Sequence, residues 1–406
     1  MNGMLPARGV LRHRDFALFL AGRFLSAMAV QVQNVAVGWL VYDITGSPLA
    51  LGLVGLATFL PAIGLALVTG HVADRYDRRA ILVGCYLLTV LTALGLLACA
   101  WTRTSEMWQV YALVLVFGAT RAFANPAGQA LLPNLVPREE FGAAIAWASS
   151  GWQTATIIGP AVGGVLYVLG EVVVFAAVAV LFLATSLLFA MIRHRAVASQ
   201  AGRVTRESLL AGISFIRSRP AVLGAISLDL FAVLLGGATA LLPIFARDIL
   251  EVGPSGLGLL RSAPAAGALA TALFLAWRPL ERRAGLRMFQ AVAIFGVATI
   301  GFGLSRSFPL SLTFLFVLGA ADMVSVVIRQ TLVQIETPDE MRGRVSAVNS
   351  VFIGASNELG EFESGVLAAL IGTVACVVVG GIGTLAVAAL WARWFPVLRH
   401  RDRLVG

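Results

Sequence analysis

Five carboxylates interrupt otherwise apolar stretches of this 406-residue chain: Asp229, Asp322, Glu358, Glu361 and Glu363. Four arginines do the same: Arg23, Arg121, Arg261 and Arg329. A charge at the centre of a bilayer costs ~2.5–3.5 kcal/mol even on the most lenient scale, so each is a functional candidate by default. The chemistry open to them is proton exchange, substrate binding or an internal ion pair. Glu358 and Glu361 stand three apart on one helix face, and Asn357 with Glu361 forms an i,i+4 pair. Glu363 points elsewhere, nearer a helix end. Asp322, Ser325 and Arg329 fall on one stripe at helical spacing. Carboxyl groups that share a low-dielectric site exchange protons nearer neutrality than in water, which coupling to a proton gradient requires. All five acids lie in the second half, so proton chemistry is expected there, led by Asp229, Asp322 and Glu361. The competing reading is a helix-holding ion pair such as Asp322 with an arginine. Arg329 and Arg261 fall near helix ends, where a long side chain can snorkel to the interface.

The elements that must position these residues follow from the composition. Apolar residues make up 59% of the chain and charged residues 13%, against roughly 45–50% and ~25% in soluble domains. That excludes disorder and argues against a soluble enzyme. Twelve apolar stretches have the length of membrane spans: 16–42, 49–70, 80–101, 108–131, 143–169, 172–192, 220–245, 256–277, 287–304, 309–332, 345–371 and 374–395. The net charge is +9 with no lysine. With both termini inside, 23 of the 30 arginines fall in cytoplasmic segments and three in outer loops, as retention of positive charge on the inner side requires. The basic balance therefore describes topology, and no nucleic-acid partner is expected. The polar segment 193–219 divides the spans six and six, giving 1–192, 193–219 and 220–406 as N-terminal bundle, cytoplasmic loop and C-terminal bundle. From Glu207 to Arg217 its spacing fits a short amphipathic helix, at the membrane surface or within a flexible strap.

The two halves repeat. At an ungapped offset of 201 residues, Gly118 meets Gly319, Gln129 meets Gln330, Pro137 meets Pro338, Glu139 meets Glu340 and Gly159 meets Gly360. Arg121 meets Asp322 at the same offset. Six spans separate equivalents, so the halves share one orientation and relate by an axis along the membrane normal. Transporters of this construction bind substrate near the midplane and expose it alternately to each side.

Two motifs carry a family resemblance. Between spans two and three the chain reads Gly70-His71-Val72-Ala73-Asp74-Arg75-Tyr76-Asp77-Arg78-Arg79. This resembles the signature loop of the major facilitator superfamily, with Asp77 in place of its second glycine; an acid before basic residues can pin helix ends. Span five holds Gly151, Ala155, Gly159, Pro160, Gly163 and Gly164, similar to the superfamily's antiporter motif. Small residues at this spacing bring two helices close, and proline permits a bend. Arg121, which shares a face with Asn125, resembles the mid-membrane arginine of the fourth-helix motif. The segments Trp39-Leu40-Val41-Tyr42-Asp43-Ile44-Thr45-Gly46-Ser47-Pro48 and Asn357-Glu358-Leu359-Gly360-Glu361-Phe362 resemble the branch that holds the enterobactin exporter, macrolide efflux pumps and transmembrane secretion effectors.

The resemblance covers essentially the whole chain. It implies an all-α membrane protein, two six-helix bundles related by a pseudo-twofold, in the cytoplasmic (inner) membrane of a prokaryote. It implies a secondary transporter that exports a small amphipathic molecule in exchange for protons, drawing on the proton gradient and needing no cofactor. Many proton-coupled exporters of the superfamily carry an acid in the first helix; here that region reads Gln31-Val32-Gln33-Asn34. Gln31, Asn34, Trp39, Trp152 and Gln153 are expected to line the cavity, since aromatics and amides suit amphipathic cargo. The partners expected are a small-molecule substrate, protons and the lipid bilayer, with the chain acting as a monomer. An importer or facilitator of a small metabolite with the same fold is the alternative. The histidines His13, His71, His194 and His400 all fall in tails or loops, and Cys85, Cys99 and Cys376 have no metal-ligand spacing. A metal site or an enzymatic function is therefore not expected.

Overall fold

In the computed structural model, residues 9–65, 68, 69, 72, 75–102, 106–193, 206–278 and 282–402 are described, and no strand occurs among them. Helices α1 (Arg14–Thr45), α2 (Pro48–Gly64), α3 (Arg78–Thr102), α4 (Met107–Leu131), α5 (Phe141–Val168) and α6 (Glu171–Ala190) fill the first half. The second half holds α7 (Arg206–Ser218), α8 (Pro220–Leu235), α9 (Gly253–Trp277), α10 (Ala284–Leu304), α11 (Phe308–Glu336), α12 (Asp339–Ile371) and α13 (Thr373–Trp394). Nine helical segments among the described residues are long and apolar enough to cross a membrane. Helices α2, α5 and α12 fall outside that set: α2 spans 17 residues, and α12 carries Asn357, Glu358, Glu361 and Glu363. Each of the twelve apolar stretches is helical over most of its length. Prolines 61, 126, 160 and 264 sit inside these helices, a tolerance typical of helices whose neighbours satisfy the freed carbonyl.

One expected continuous span is broken. The stretch 220–245 forms α8 only to Leu235; a 3₁₀ turn (Ala238–Leu241), a short turn (Leu242–Ile244) and a π turn (Phe245–Ile249) follow. Gly236 and Gly237 interrupt the helix where the chain bends, and Pro243 cannot extend the ladder.

The chain divides into two compact units, Met1–Leu40 with Ala57–Arg203, and Val41–Leu56 with Val204–Gly406. In the first unit α3 packs along α4 and α6. Tyr86 stacks on Phe182 and Phe189, with ring centroids at 6.3 and 5.3 Å. In the second, α10 packs along α11 and α13 in the same way, burying Met288, Phe289, Val292, Ile328 and Leu332. The repeat is visible in these packings. Gly118 of α4 lies against the Thr58 carbonyl of α2, and its equivalent Gly319 of α11 lies against the Pro264 carbonyl of α9. At both places a Cβ would collide with backbone, so glycine is required by close approach rather than by turn geometry.

Half of the 193–219 segment is the helix α7. Its Gly212 lies against the Arg344 backbone of α12, and Phe215 and Ile216 pack with Val345, Val348 and Phe352. This part of the segment forms the expected helix, with an apolar face docked on α12.

Candidate functional site

The signature loop ties helix ends together inside the first unit. Gly70 and Asp74 lie outside the described residues. Asp77 precedes α3 and accepts the Arg79 backbone N–H at 3.0 Å, so the acid that replaces the family glycine caps the helix. Arg78, only 6% exposed, donates to the Ala130 carbonyl at the end of α4 at 2.8 Å. Arg79 donates to the Phe189 carbonyl at 3.2 Å and to that of Ala190 at the end of α6. Those carbonyls lie in the last turns of their helices, where a cation is favoured. Arg75 remains exposed.

The span-five motif is a packing face between α5 and α1. Ala155, Gly159, Pro160, Gly163 and Gly164 are buried, while Gly151 at its N-terminal end is half-buried beside Leu20. A Cβ on Gly159 would stand 2.6 Å from the Gln31 Cβ, and one on Gly163 would stand 3.0 Å from the Val32 Cα. Gln31, expected to line a cavity, is thus held at this contact. Asn34 and Gln153 are half-buried, and the Trp39 ring lies 6.3 Å from that of Tyr167.

A cavity of about 30 Å³ opens in the first unit, lined by Arg23, Tyr86, Phe117, Arg121, Asn125 and Trp152 among others. The Arg23 guanidinium lies over the Trp152 ring and that of Arg121 over Phe117, both 5.8 Å from the ring centre. Of the expected cavity residues Trp152 reaches this site, beside Arg121 of the fourth-helix motif; Gln31, Asn34, Trp39 and Gln153 are not among its lining. Tyr86 and Arg23 complete it, and their spacing along the chain links neither to Arg121.

The second unit holds a smaller cavity of about 10 Å³, lined by Asp229 of α8 and by Asp322 and Ser325 of α11; one water needs ~10–15 Å³. Asp229 is 6% exposed and its carboxylate lies 3.2 Å from a guanidinium nitrogen of Arg329, itself 2% exposed. Arg329 also donates to the Asn349 side-chain oxygen of α12 at 3.0 Å. Arg329 therefore does not snorkel, and the arginine's partner is Asp229 rather than Asp322. Asp322 makes no ion pair among the described residues. The Ser325 hydroxyl, 3% exposed, has no hydrogen-bond partner there. Asn349 has no signal in the sequence, because nothing in the spacing relates it to Arg329.

Glu358 and Glu361 do not reach this cavity. Both are half-buried on α12, and the Glu361 carboxylate occupies the space beside Gly55, where a Cβ would stand 2.9 Å from its oxygen. Elsewhere in the second unit, Tyr42 donates to Asp248 and Asp43 pairs with Arg247 at 3.1 Å. That gives the two acidic and phenolic members of the Trp39–Asp43 segment concrete partners. Among the described residues no cluster of three metal-ligating side chains occurs.

Known proteins bear on this arrangement. The chain is 28% identical over 386 residues to the enterobactin exporter EntS of Escherichia coli (strain K12), covering 95% of this chain and 92% of that one. It is 25% identical over 374 residues to macrolide efflux protein A of Streptococcus pyogenes, covering 88% and 90%. In structure it is similar to a bacterial homologue of the human lysosomal transporter Spinster, solved inward-facing and occupied, with TM-score 0.75, 14% identity and 98% and 99% coverage. That likeness shows the major facilitator fold. The model of the transmembrane secretion effector family matches residues 7–402. The chain is a multi-pass membrane protein that belongs to the transmembrane secretion effectors, a family of major facilitator transporters of small molecules.

Proposed function

We propose that this transporter exports a small amphipathic compound by alternating access in exchange for protons, as a monomer in the cytoplasmic membrane of a prokaryote, with both termini inside. The export direction is supported by the names of its relatives, an enterobactin exporter and a macrolide efflux protein. Proton coupling is carried by one observation, an acid without an ion pair beside an acid that has one. Asp229 is neutralised by Arg329, while Asp322 shares a water-sized cavity with it and has no ion pair among the described residues. An acid without an ion pair beside a water-sized cavity is placed to take up and release a proton. The unpartnered Ser325 hydroxyl beside it can pass that proton on through one water.

Each proton moving inward across 100 mV releases ~2.3 kcal/mol, enough for roughly 50-fold accumulation of cargo outside at one proton per molecule. Glu361 and Glu358 remain further coupling candidates, and Gln31, Asn34, Trp39, Trp152 and Gln153 candidates for cargo contact. The test is purified protein in proteoliposomes with an imposed pH gradient, screened with hydrophobic drugs and siderophores for substrate-induced proton release. Wild type should release protons on adding cargo, and Asp322→Asn, Asp229→Asn and Glu361→Gln should lose that response while remaining in the membrane. Efflux with unchanged pH dependence in all three variants would overturn the reading.

A further inference from the structure

The first unit poses a charge problem that the second has solved internally. Arg329 meets Asp229, but neither Arg23 nor Arg121 forms an ion pair among the described residues. Among those residues each guanidinium rests on an aromatic ring, Trp152 and Phe117 respectively. Both line one cavity, and no carboxylate is among its lining residues. The hydroxyls that border it are already committed: Thr89 and Thr120 bond to each other at 3.0 Å and to carbonyls of their own helices. Room for Arg23 is built in, because a Cβ on Gly128 would stand 3.2 Å from its guanidinium nitrogen. Trp152 is 44% exposed and offers an aromatic face beside the charges. Two half-buried cations at membrane depth, held by rings and left without an anion, are stabilised most by an anion arriving from outside the chain.

We propose that Arg23 and Arg121 form an anion-recognising subsite, and that the cargo is an amphipathic organic anion, an apolar or aromatic body bearing a carboxylate-like group. The anionic group enters between the two guanidinium groups and the aromatic body lies along Trp152. This rests on the transporter reading but not on its direction or its proton coupling.

The test uses three probes with one apolar body: 2-naphthoate, its neutral amide, and the cationic naphthylmethylammonium. Binding is measured by titration calorimetry on the full chain in lipid nanodiscs at neutral pH, with empty discs as blank. Naphthoate should bind about tenfold or more tighter than the amide, the return expected of charge-assisted hydrogen bonds, and the cation should bind weakest. Arg23→Gln and Arg121→Gln should each shrink the naphthoate-to-amide ratio, and the double variant should bring it near one. Arg121→Lys, which keeps the charge, should retain part of the preference, and guards against loss by misfolding. Arg393→Gln removes an exposed charge elsewhere and should leave the ratio intact. Equal binding of the three probes, tightest binding of the cation, no binding of any probe, or a preference that survives the double variant would overturn the proposal. The measurement needs no gradient. A failed proton-release assay with a normal naphthoate ratio therefore refutes the coupling reading alone, and the reverse outcome refutes only the anion subsite.

Discussion

The two halves repeat the same helices and set opposite charges on them. Arg121 on α4 and Asp322 on α11 are equivalent positions, 201 residues apart. Around Arg121 the first unit gathers a second arginine and aromatic rings. Around Asp322 the second unit gathers another acid, and places that acid against Arg329, which Asn349 also holds. The contrast teaches that an intramembrane charge can be handled in two ways. It can be matched within the chain, as Asp229 is by Arg329, or left without an ion pair among the described residues, as Asp322, Arg23 and Arg121 are.

Breaking the matched pair should have the largest effect. Asp229→Asn leaves Arg329 buried with only Asn349, and removing one partner of a buried pair costs ~3–5 kcal/mol. Unfolding of the purified protein in detergent should show that loss, and a compensating Arg329→Gln in the same chain should recover much of it. If the single variant is as stable as wild type, the pair is not what holds α8 to α11. The repeated glycines come next. Gly118→Val and Gly319→Val each drive a side chain into a neighbouring carbonyl, and overpacking of this kind costs ~1–3 kcal/mol. Similar losses in the two variants, read in the same unfolding experiment, would establish that both halves use one packing device; a loss in only one would break the comparison.

Asp322→Asn should change stability by less than ~1 kcal/mol, since no ion pair is lost. Its effect belongs to function: efflux at an imposed gradient should lose its dependence on pH, because the protonated form is mimicked at every pH. A variant that is strongly destabilised instead would put Asp322 with Asp229 as a structural acid. The smallest effect is expected for Arg121→Gln, whose removal leaves no acid unpaired. Its melting temperature should stay within ~2 °C of wild type or rise, and a loss of more than ~3 kcal/mol in unfolding free energy would mean that Arg121 has a partner within the chain.

Much of this was legible in residues alone. Apolar stretches predict where the helices lie, and the glycines of the repeat and of span five predict where helices approach closely, because only a missing Cβ allows it. The limits are equally physical. The stretch 220–245 reads as one apolar span around Asp229, and only Gly236 with Gly237 hints that α8 ends at Leu235. Asp77 reads as a departure from a glycine pattern, yet its carboxylate caps α3, a role decided by one backbone N–H. Helical spacing groups Asp322, Ser325 and Arg329 on one stripe, but the guanidinium turns to Asp229 of another helix. Along-chain spacing cannot register a partner that tertiary packing supplies.

The sequence by itself determined an all-α membrane transporter built as a repeat, with its intramembrane acids confined to one half. Composition, glycine spacing and local motifs are properties of neighbouring residues, and those suffice for helices and family. The tertiary structure alone decided which charges are spent on each other. Pairing depends on distances of about 3 Å between helices far apart in the chain, and it left Asp322 in one unit, and Arg23 with Arg121 in the other, without an ion pair among the described residues.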